Sequence, residues 1–127
     1  MKQIKIGTYP MFGEWVDIYG RDGLGGEFYM TPEHGQIGRI KIGLDDAKWE
    51  NLIHTVLHEL MEYAMCRRDL SFHSCGGTSN SADRLFVMDH QQFDRCCVAT
   101  AECLTPLLPD LKRAYDRWGR KPRRRKR

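Results

Sequence analysis

The 127-residue sequence predicts one α+β domain, in which a small and mainly antiparallel sheet packs on a long apolar helix. Two patterns predict this class. Residues 1–44 alternate short apolar runs with polar or glycine-rich turns, and the stretch that follows places apolar side chains at three- and four-residue spacing. A chain of this length supports a modest core, and its 41% hydrophobic and 29% charged content is ordinary for a globular protein.

The predicted sheet is built from the first third of the chain. Strands are predicted at residues 4–6, 15–19, 27–30 and 38–44. A turn with three glycines at residues 21–26 and a polar turn at residues 31–35 join them in hairpin-like order, which favours antiparallel pairing. His34, in the second of these turns, is interpreted as an exposed residue without a role.

A helix is predicted between Asp45 and Leu70, with Asp45 and Asp46 as its N-caps. Its apolar stripe is interrupted by titratable side chains, which are costly to bury unless something pairs with them. A metal ion is the simplest such partner. The titratable residues are His54, His58, Glu59 and Glu62.

Helical spacing limits which of these side chains can share one ion. Residues four apart lie on one face, so His58 can share an ion with either Glu62 or His54. All three cannot, because His54 and Glu62 are displaced by about 12 Å along the axis. Glu59 directly follows His58, as the general base follows the first ligand in the His-Glu-x-x-His helices of zinc proteases. Here the motif reads His-Glu-Leu-Met-Glu, and zinc accepts a carboxylate in place of the second imidazole.

The run from Trp49 to Tyr63, WENLIHTVLHELMEY, resembles small phage and prophage proteins of zincin type. In these, a His-Glu-x-x-Glu helix is followed by a loop and then by a histidine that heads a second helix. The matching histidine is His90, in FVMDHQQFDRCC, and the resemblance covers residues 38–111.

This resemblance implies a zincin-like fold that holds one zinc ion. The implied ligands are His58, Glu62 and His90, with Glu59 near the open coordination position as general base. The implied activity is that of a zinc metallopeptidase, a hydrolase that acts on a peptide or protein. His54, one turn before His58, is either a stabiliser of the developing oxyanion or an ordinary histidine of the core.

Two rival interpretations stay open beside the hydrolase. In the first, zinc only stabilises the fold, and the protein binds a host or defence protein through its surface. In the second, no metal is bound, and Glu59 and Glu62 pair with Arg67 or Arg68 instead.

The polar segment 69–83 is predicted to be a loop, placed where a lid over the site would belong. His73 and Cys75 within it suggest a rival zinc cluster with Cys66 and a cysteine of the second helix, Cys96 or Cys97. This spacing matches no common zinc motif, so a loop and buried thiols are the preferred interpretation.

The last third of the chain predicts a short strand and two helices. The strand is at residues 84–88, and a capping-box pattern at residues 89–92 starts a core helix at His90. Pro106 ends this helix, because proline disfavours helix in the residue before it. A short C-terminal helix then continues to Gly119.

A net charge of +3 conceals an uneven distribution. Seven basic residues lie in the tail Arg120–Arg127; removing them from the total of 20 leaves 13 against 17 acidic residues, a net charge of −4 for residues 1–119. The tail is predicted to lie outside the domain and to contact nucleic acid non-specifically or to bind a partner. No aromatic residue interleaves it, and the acidic body offers no obvious extension of a basic groove.

The chain is expected to be cytoplasmic, in the host cell if a phage encodes it. No apolar run approaches the roughly 20 residues that span a membrane, and MKQIKIGTYP lacks the apolar segment of a signal peptide. Five cysteines, with Cys96 and Cys97 adjacent, make a poor disulfide framework and agree with a reducing compartment.

Overall fold

Short alternating strands at the start of the chain form one sheet, and the two long apolar stretches form helices. The computed structural model describes residues 2–30, 38–68, 71–73 and 84–119. Its elements are β1 Gln3–Met11, β2 Glu14–Arg21, β3 Gly26–Tyr29, β4 Gly38–Gly43, α1 Trp49–Arg67, β5 Ser71–His73, β6 Arg84–Phe86 and α2 His90–Gly119. The predicted α+β class is confirmed.

The four-stranded sheet is mixed, with the order β1-β2-β4-β3. The outer pairs β1/β2 and β3/β4 are antiparallel, as predicted, but the central pair β2/β4 is parallel, with Ile18 opposite Ile40. The parallel pair was not anticipated. Its physical reason is burial: β2 and β4 carry most of the buried strand residues and occupy the centre, whereas β3 is short and alternately exposed and takes an edge.

One hydrophobic core lies between this sheet and the two helices. It includes side chains from β2, β4, α1 and α2 that are almost wholly inaccessible to solvent: Val16, Ile18, Ile40, Ile42, Leu52, Val56, Leu60, Leu107 and Leu111. Because three of these side chains belong to α1, that helix is held with one face on the core and the opposite face in solvent.

The start of α1 differs from the prediction. Its N-cap is Lys48, which makes no side-chain capping bond, so Asp45 and Asp46 are not the caps. The Asp45 carboxylate instead accepts hydrogen bonds from the Gly23 backbone N–H, at 2.5 Å, and from Trp118 Nε1, at 2.7 Å. Asp45 thus ties the loop before α1 to the β2–β3 turn and to the end of α2.

The second helix begins as predicted but does not stop at Pro106. The Asp89 and Gln92 side chains accept each other's backbone N–H at 2.8 and 2.9 Å, which is the capping box that starts α2 at His90. Beyond it, α2 runs unbroken through Pro106 and Pro109, so the prediction of a separate C-terminal helix is wrong. Both prolines lie on the exposed face, where carbonyls left without a backbone partner can be hydrated.

Part of the segment predicted as a loop is strand, because β5 pairs antiparallel with β6. The rest of that predicted lid lies outside the described residues, as do Cys75, His34 and the tail Arg120–Arg127. Of the helices in the described ranges, neither is long and apolar enough to cross a membrane.

Candidate metal centre

Three side chains of α1 converge where this helix passes the edge of the sheet. One ligand atom from each of His58, Glu59 and Glu62 lies within 4.8 Å of the other two. His58 Nε2 is 2.8 Å from Glu62 Oε2, as expected for residues one helical turn apart. The imidazole is 61% exposed and the Glu62 carboxylate only 16%, so the group opens to solvent on the histidine side.

Glu59 is the buried member of this group, with only 7% of the residue exposed. Burial raises the pKa of its carboxyl group, the nearby Glu62 carboxylate raises it further, and the His58 imidazole partly opposes the rise. Glu27 raises the pKa of Glu59 and Arg21 lowers it; these two side chains are themselves paired at 3.3 Å. A sheltered carboxylate with a raised pKa has the character that a general base needs.

The close approach of β3 to Glu59 depends on a glycine. A Cβ atom added to Gly26 would lie 2.5 Å from Glu59 Cγ and 3.0 Å from its Cδ, so a larger residue would displace the carboxylate. Sequence reasoning assigned Gly26 to a turn and missed this contact. The available signal was its position, since a glycine that opens a strand often marks a close approach of another group.

The strand that carries Gly26 is an edge of the sheet. Among the described residues, β3 pairs only with β4. The candidate metal centre therefore adjoins an edge strand, the kind of strand to which an extended peptide can add.

The structure does not bring His90 into this group. His90 is exposed at the first turn of α2, and the group found among the described residues comes from α1 alone. The position along α2 at which this helix contacts α1 explains why His90 is apart from the group. Thr100 Oγ1 lies 3.5 Å from Met61 Sδ, and His90 is ten residues before Thr100, about 15 Å along the helix axis. The role of His90 as third ligand stays a prediction.

His54 lies one turn before His58 and is exposed. Both histidines line a groove of about 490 Å³ between α1 and α2, whose other walls include Leu57, Met61 and Leu104. His54 is therefore beside the candidate metal centre without being part of the three-residue group, and its catalytic role stays a prediction.

The arginines of the metal-free interpretation are engaged on the other side of α1. Arg67 forms an ion pair with Glu14 on β2, and the Arg68 guanidinium lies 4.4 Å from the centre of the Phe12 ring. Both arginines lie against the β1–β2 hairpin. The metal-free interpretation therefore loses the cations with which it paired Glu59 and Glu62.

The rival cysteine cluster finds no support among the described side chains. Cys66 and Cys96 are buried cysteines without a disulfide among the described residues, and Cys97 is half-buried. The one group of three ligand atoms in the described part is that of α1. Buried thiols of this kind act as small apolar core residues.

No protein-family model, curated protein or solved structure matches the chain. The fit of a metal must therefore be tested on the residues themselves. One imidazole and two carboxylates are donors that Zn²⁺ accepts. Two carboxylates held within 4.8 Å, one of them buried, repel each other, and a divalent cation would reverse that repulsion. With Glu59 counted as a donor, the set fits zinc; with Glu59 as a base, a third ligand is needed, and His90 is the predicted one.

Proposed function

We propose that the chain is a zincin-like, zinc-dependent hydrolase of peptide bonds, in which His58 and Glu62 hold the metal and Glu59 is the general base. The observation that carries the proposal is the convergence of these three side chains beside an edge strand, with Glu59 buried against Gly26. The resemblance of residues 49–63 to phage zincins points to the same chemistry.

Each side chain has a distinct part in this mechanism. When bound, zinc supplies Lewis acidity to the substrate carbonyl and to a water molecule. His58 and Glu62 pair directly at 2.8 Å, so they are already neighbours on one helical face and would exchange this contact for the ion. Glu59 takes the proton of the attacking water and later transfers it to the leaving amine. Burial raises the pKa of Glu59, which makes its carboxylate a stronger base than an exposed glutamate.

The edge of β3 supplies a place for the substrate. An extended peptide can add to an edge strand through backbone hydrogen bonds, which hold it without selecting its side chains. A peptide paired with β3 would run past Gly26, and therefore past the Glu59 carboxylate. This placement supports a peptide or protein substrate.

A second candidate is a metal-binding protein without hydrolytic activity. The observation that favours it is that a Glu59 carboxylate oxygen lies within 4.8 Å of the other two ligand atoms. Glu59 can then complete the ligand set itself, so that no base is left for catalysis. The role of Glu59 therefore separates the two candidates.

Zinc content and peptide hydrolysis, measured on the same variants, test both candidates. We expect about one zinc per wild-type chain, and loss of that zinc in His58→Ala and Glu62→Gln. Glu50→Gln, on an exposed turn of the same helix, is the matched control and should retain it. Zinc content is measured by plasma mass spectrometry after dialysis, and hydrolysis by mass spectrometry of a peptide library.

Glu59→Gln decides between the candidates. If it retains zinc but does not hydrolyse peptides that the wild type cleaves, the hydrolase is supported. If it loses zinc, Glu59 is a ligand and the non-catalytic protein is favoured. His90→Ala tests the predicted third ligand in the same experiment. A wild-type chain that neither contains nor takes up zinc would refute both candidates.

A further inference from the structure

A groove with basic walls lies at the other edge of the sheet, between β1 and the last turns of α2. We call it the β1–α2 groove. It has a volume of about 560 Å³, and its charged and aromatic walls are Lys2, Lys5, Asp110, Arg113, Arg117 and Trp118. Four cations and one carboxylate therefore face the same space, on a body whose net charge is negative.

The single carboxylate of the groove is already occupied. Asp110 accepts a hydrogen bond from the Tyr9 hydroxyl at 2.7 Å and forms an ion pair with Arg113. Tyr9 is buried against α2, so the hydrogen bond from its hydroxyl group to Asp110 is part of the packing of the fold. Asp110 therefore neutralises one cation at most and leaves the groove with an excess of positive charge.

The remaining cations are not equally available. Lys5 lies 3.2 Å from the Asp17 carboxylate, which partly neutralises it. Lys2 Nζ lies 4.4 Å from the centre of the Trp118 ring, a contact that positions the ammonium group while keeping its charge. Arg117 forms no ion pair within residues 2–30, 38–68 and 84–119. Lys2 and Arg117 are thus the cations most able to bind an external anion.

The groove also includes the residues that directly precede the basic tail in sequence. Arg117 and Trp118 are in the last turn of α2, and the tail Arg120–Arg127 follows Gly119 directly in sequence. The sequence alone did not indicate this group of cations, because Lys2 is far from Arg117 in sequence and only the packing of β1 on α2 brings them together.

We propose that the β1–α2 groove binds the phosphodiester backbone of a nucleic acid, independently of base sequence. Charge complementarity with a polyanion supports this occupant. A membrane is a poorer one, because no exposed large apolar side chain in the described part lines the groove. Those side chains are Trp15, Leu24, Tyr29, Leu57, Val87, Phe93 and Val98.

The proposal does not depend on the hydrolase. The metal centre adjoins β3 and the groove adjoins β1, and these strands are the opposite edges of the sheet. A failure of zinc binding would leave the groove untouched, and the reverse also holds.

The test is fluorescence anisotropy of the full chain with a fluorescein-labelled 20-base-pair DNA duplex and with a single strand of the same length, from 50 to 300 mM NaCl. The groove variant is Lys2→Gln with Arg117→Gln. Its matched control is Arg39→Gln with Lys41→Gln, which removes the same charge from β4. Both variants keep the tail.

We expect the groove variant to lose two phosphate contacts. The slope of log K against log salt should then be shallower by about 1.8 with the duplex and about 1.4 with the single strand. If counterion release accounts for the whole effect, affinity at 0.1 M salt falls by up to about 60-fold. The control should keep the wild-type slope.

A second measurement needs no substitution. Bound duplex should protect Lys2 from acetylation in the wild-type chain and leave Lys41 reactive, as read by mass spectrometry. The proposal is overturned if Lys2 is not protected, if groove variant and control behave alike, or if polyglutamate or phosphatidylserine vesicles bind more tightly than either nucleic acid.

Discussion

Replacing Glu59 by glutamine should stabilise the metal-free protein. The residue is 7% exposed, and one of its carboxylate oxygens lies within 4.8 Å of a ligand atom of Glu62. Two full charges at that distance repel by about 3.5 kcal/mol at an effective dielectric constant of 20. The His58 imidazole offsets part of this repulsion, and the raised pKa of Glu59 lowers its own average charge. We therefore expect a net gain of about 1–2 kcal/mol.

Zinc should still stabilise Glu59→Gln if Glu59 is a base and not a ligand, although less than it stabilises the wild type, because the substitution removes a carboxylate charge close to the ion. A ligand that binds only the folded state at 100 times its Kd adds about 2.7 kcal/mol to the free energy of unfolding. The assay is urea denaturation in EDTA and then in excess zinc, with thiols kept reduced. His58→Ala with Glu62→Gln corrects for zinc bound elsewhere, for instance at the cysteines.

Two results would refute this reasoning. If Glu59→Gln destabilised the metal-free chain, the buried carboxylate would be making favourable contacts, and its description as a carboxylate destabilised by burial and by Glu62 would be wrong. If the substitution removed the stabilisation by zinc, Glu59 would be a ligand. Because the first result concerns the metal-free state and the second the metal-bound state, each can be observed without the other.

Three further predictions concern the site and the core. Gly26→Ala should lower the rate of peptide hydrolysis about tenfold or more while zinc content is retained, because the new Cβ displaces the Glu59 side chain, the proposed general base. Leu60→Ala, at a fully buried position, should lower the free energy of unfolding in guanidinium by about 2–5 kcal/mol, whereas Leu57→Ala, 41% exposed, should have little effect. Burial raises the pKa of Cys103 to about 12, so its thiol ionises first in the unfolded chain; between pH 8 and 10 the wild type should lose about 1.4 kcal/mol relative to Cys103→Ala.

Features that depend on neighbouring residues could be predicted from the sequence. The capping box at residues 89–92 needs only two side chains three positions apart, and it starts α2 at the expected residue. The apolar spacing of α1 likewise places Leu52, Val56 and Leu60 in the core. The pairing of His58 with Glu62 follows from the same local geometry, because residues four apart always meet on a helix.

Features that are set by tertiary packing could not be predicted from the sequence. Local propensity favours a break at Pro106, yet Cys103, Leu107 and Leu111 form a buried stripe on the opposite face and keep α2 continuous. Their burial outweighs a local penalty of about 3 kcal/mol per proline. The same limit applies to His90, whose distance from α1 depends on the level at which the helices meet.

The order of the strands explains why one small domain can hold two candidate sites. A purely sequential antiparallel sheet would have placed β4 at an edge beside β3. Here β4 is inserted next to β2, so β3 becomes the edge beside α1 and β1 the edge beside α2. With neighbouring strands about 4.8 Å apart, β1 and β3 are separated by about 14 Å. The carboxylates of the metal centre and the cations of the β1–α2 groove are thus separated by more than a Debye length at physiological salt, which is about 8 Å. Screening by salt and the distance between the sites weaken the electrostatic field that each exerts on the other. Each site can therefore keep the sign of charge that its ligand requires.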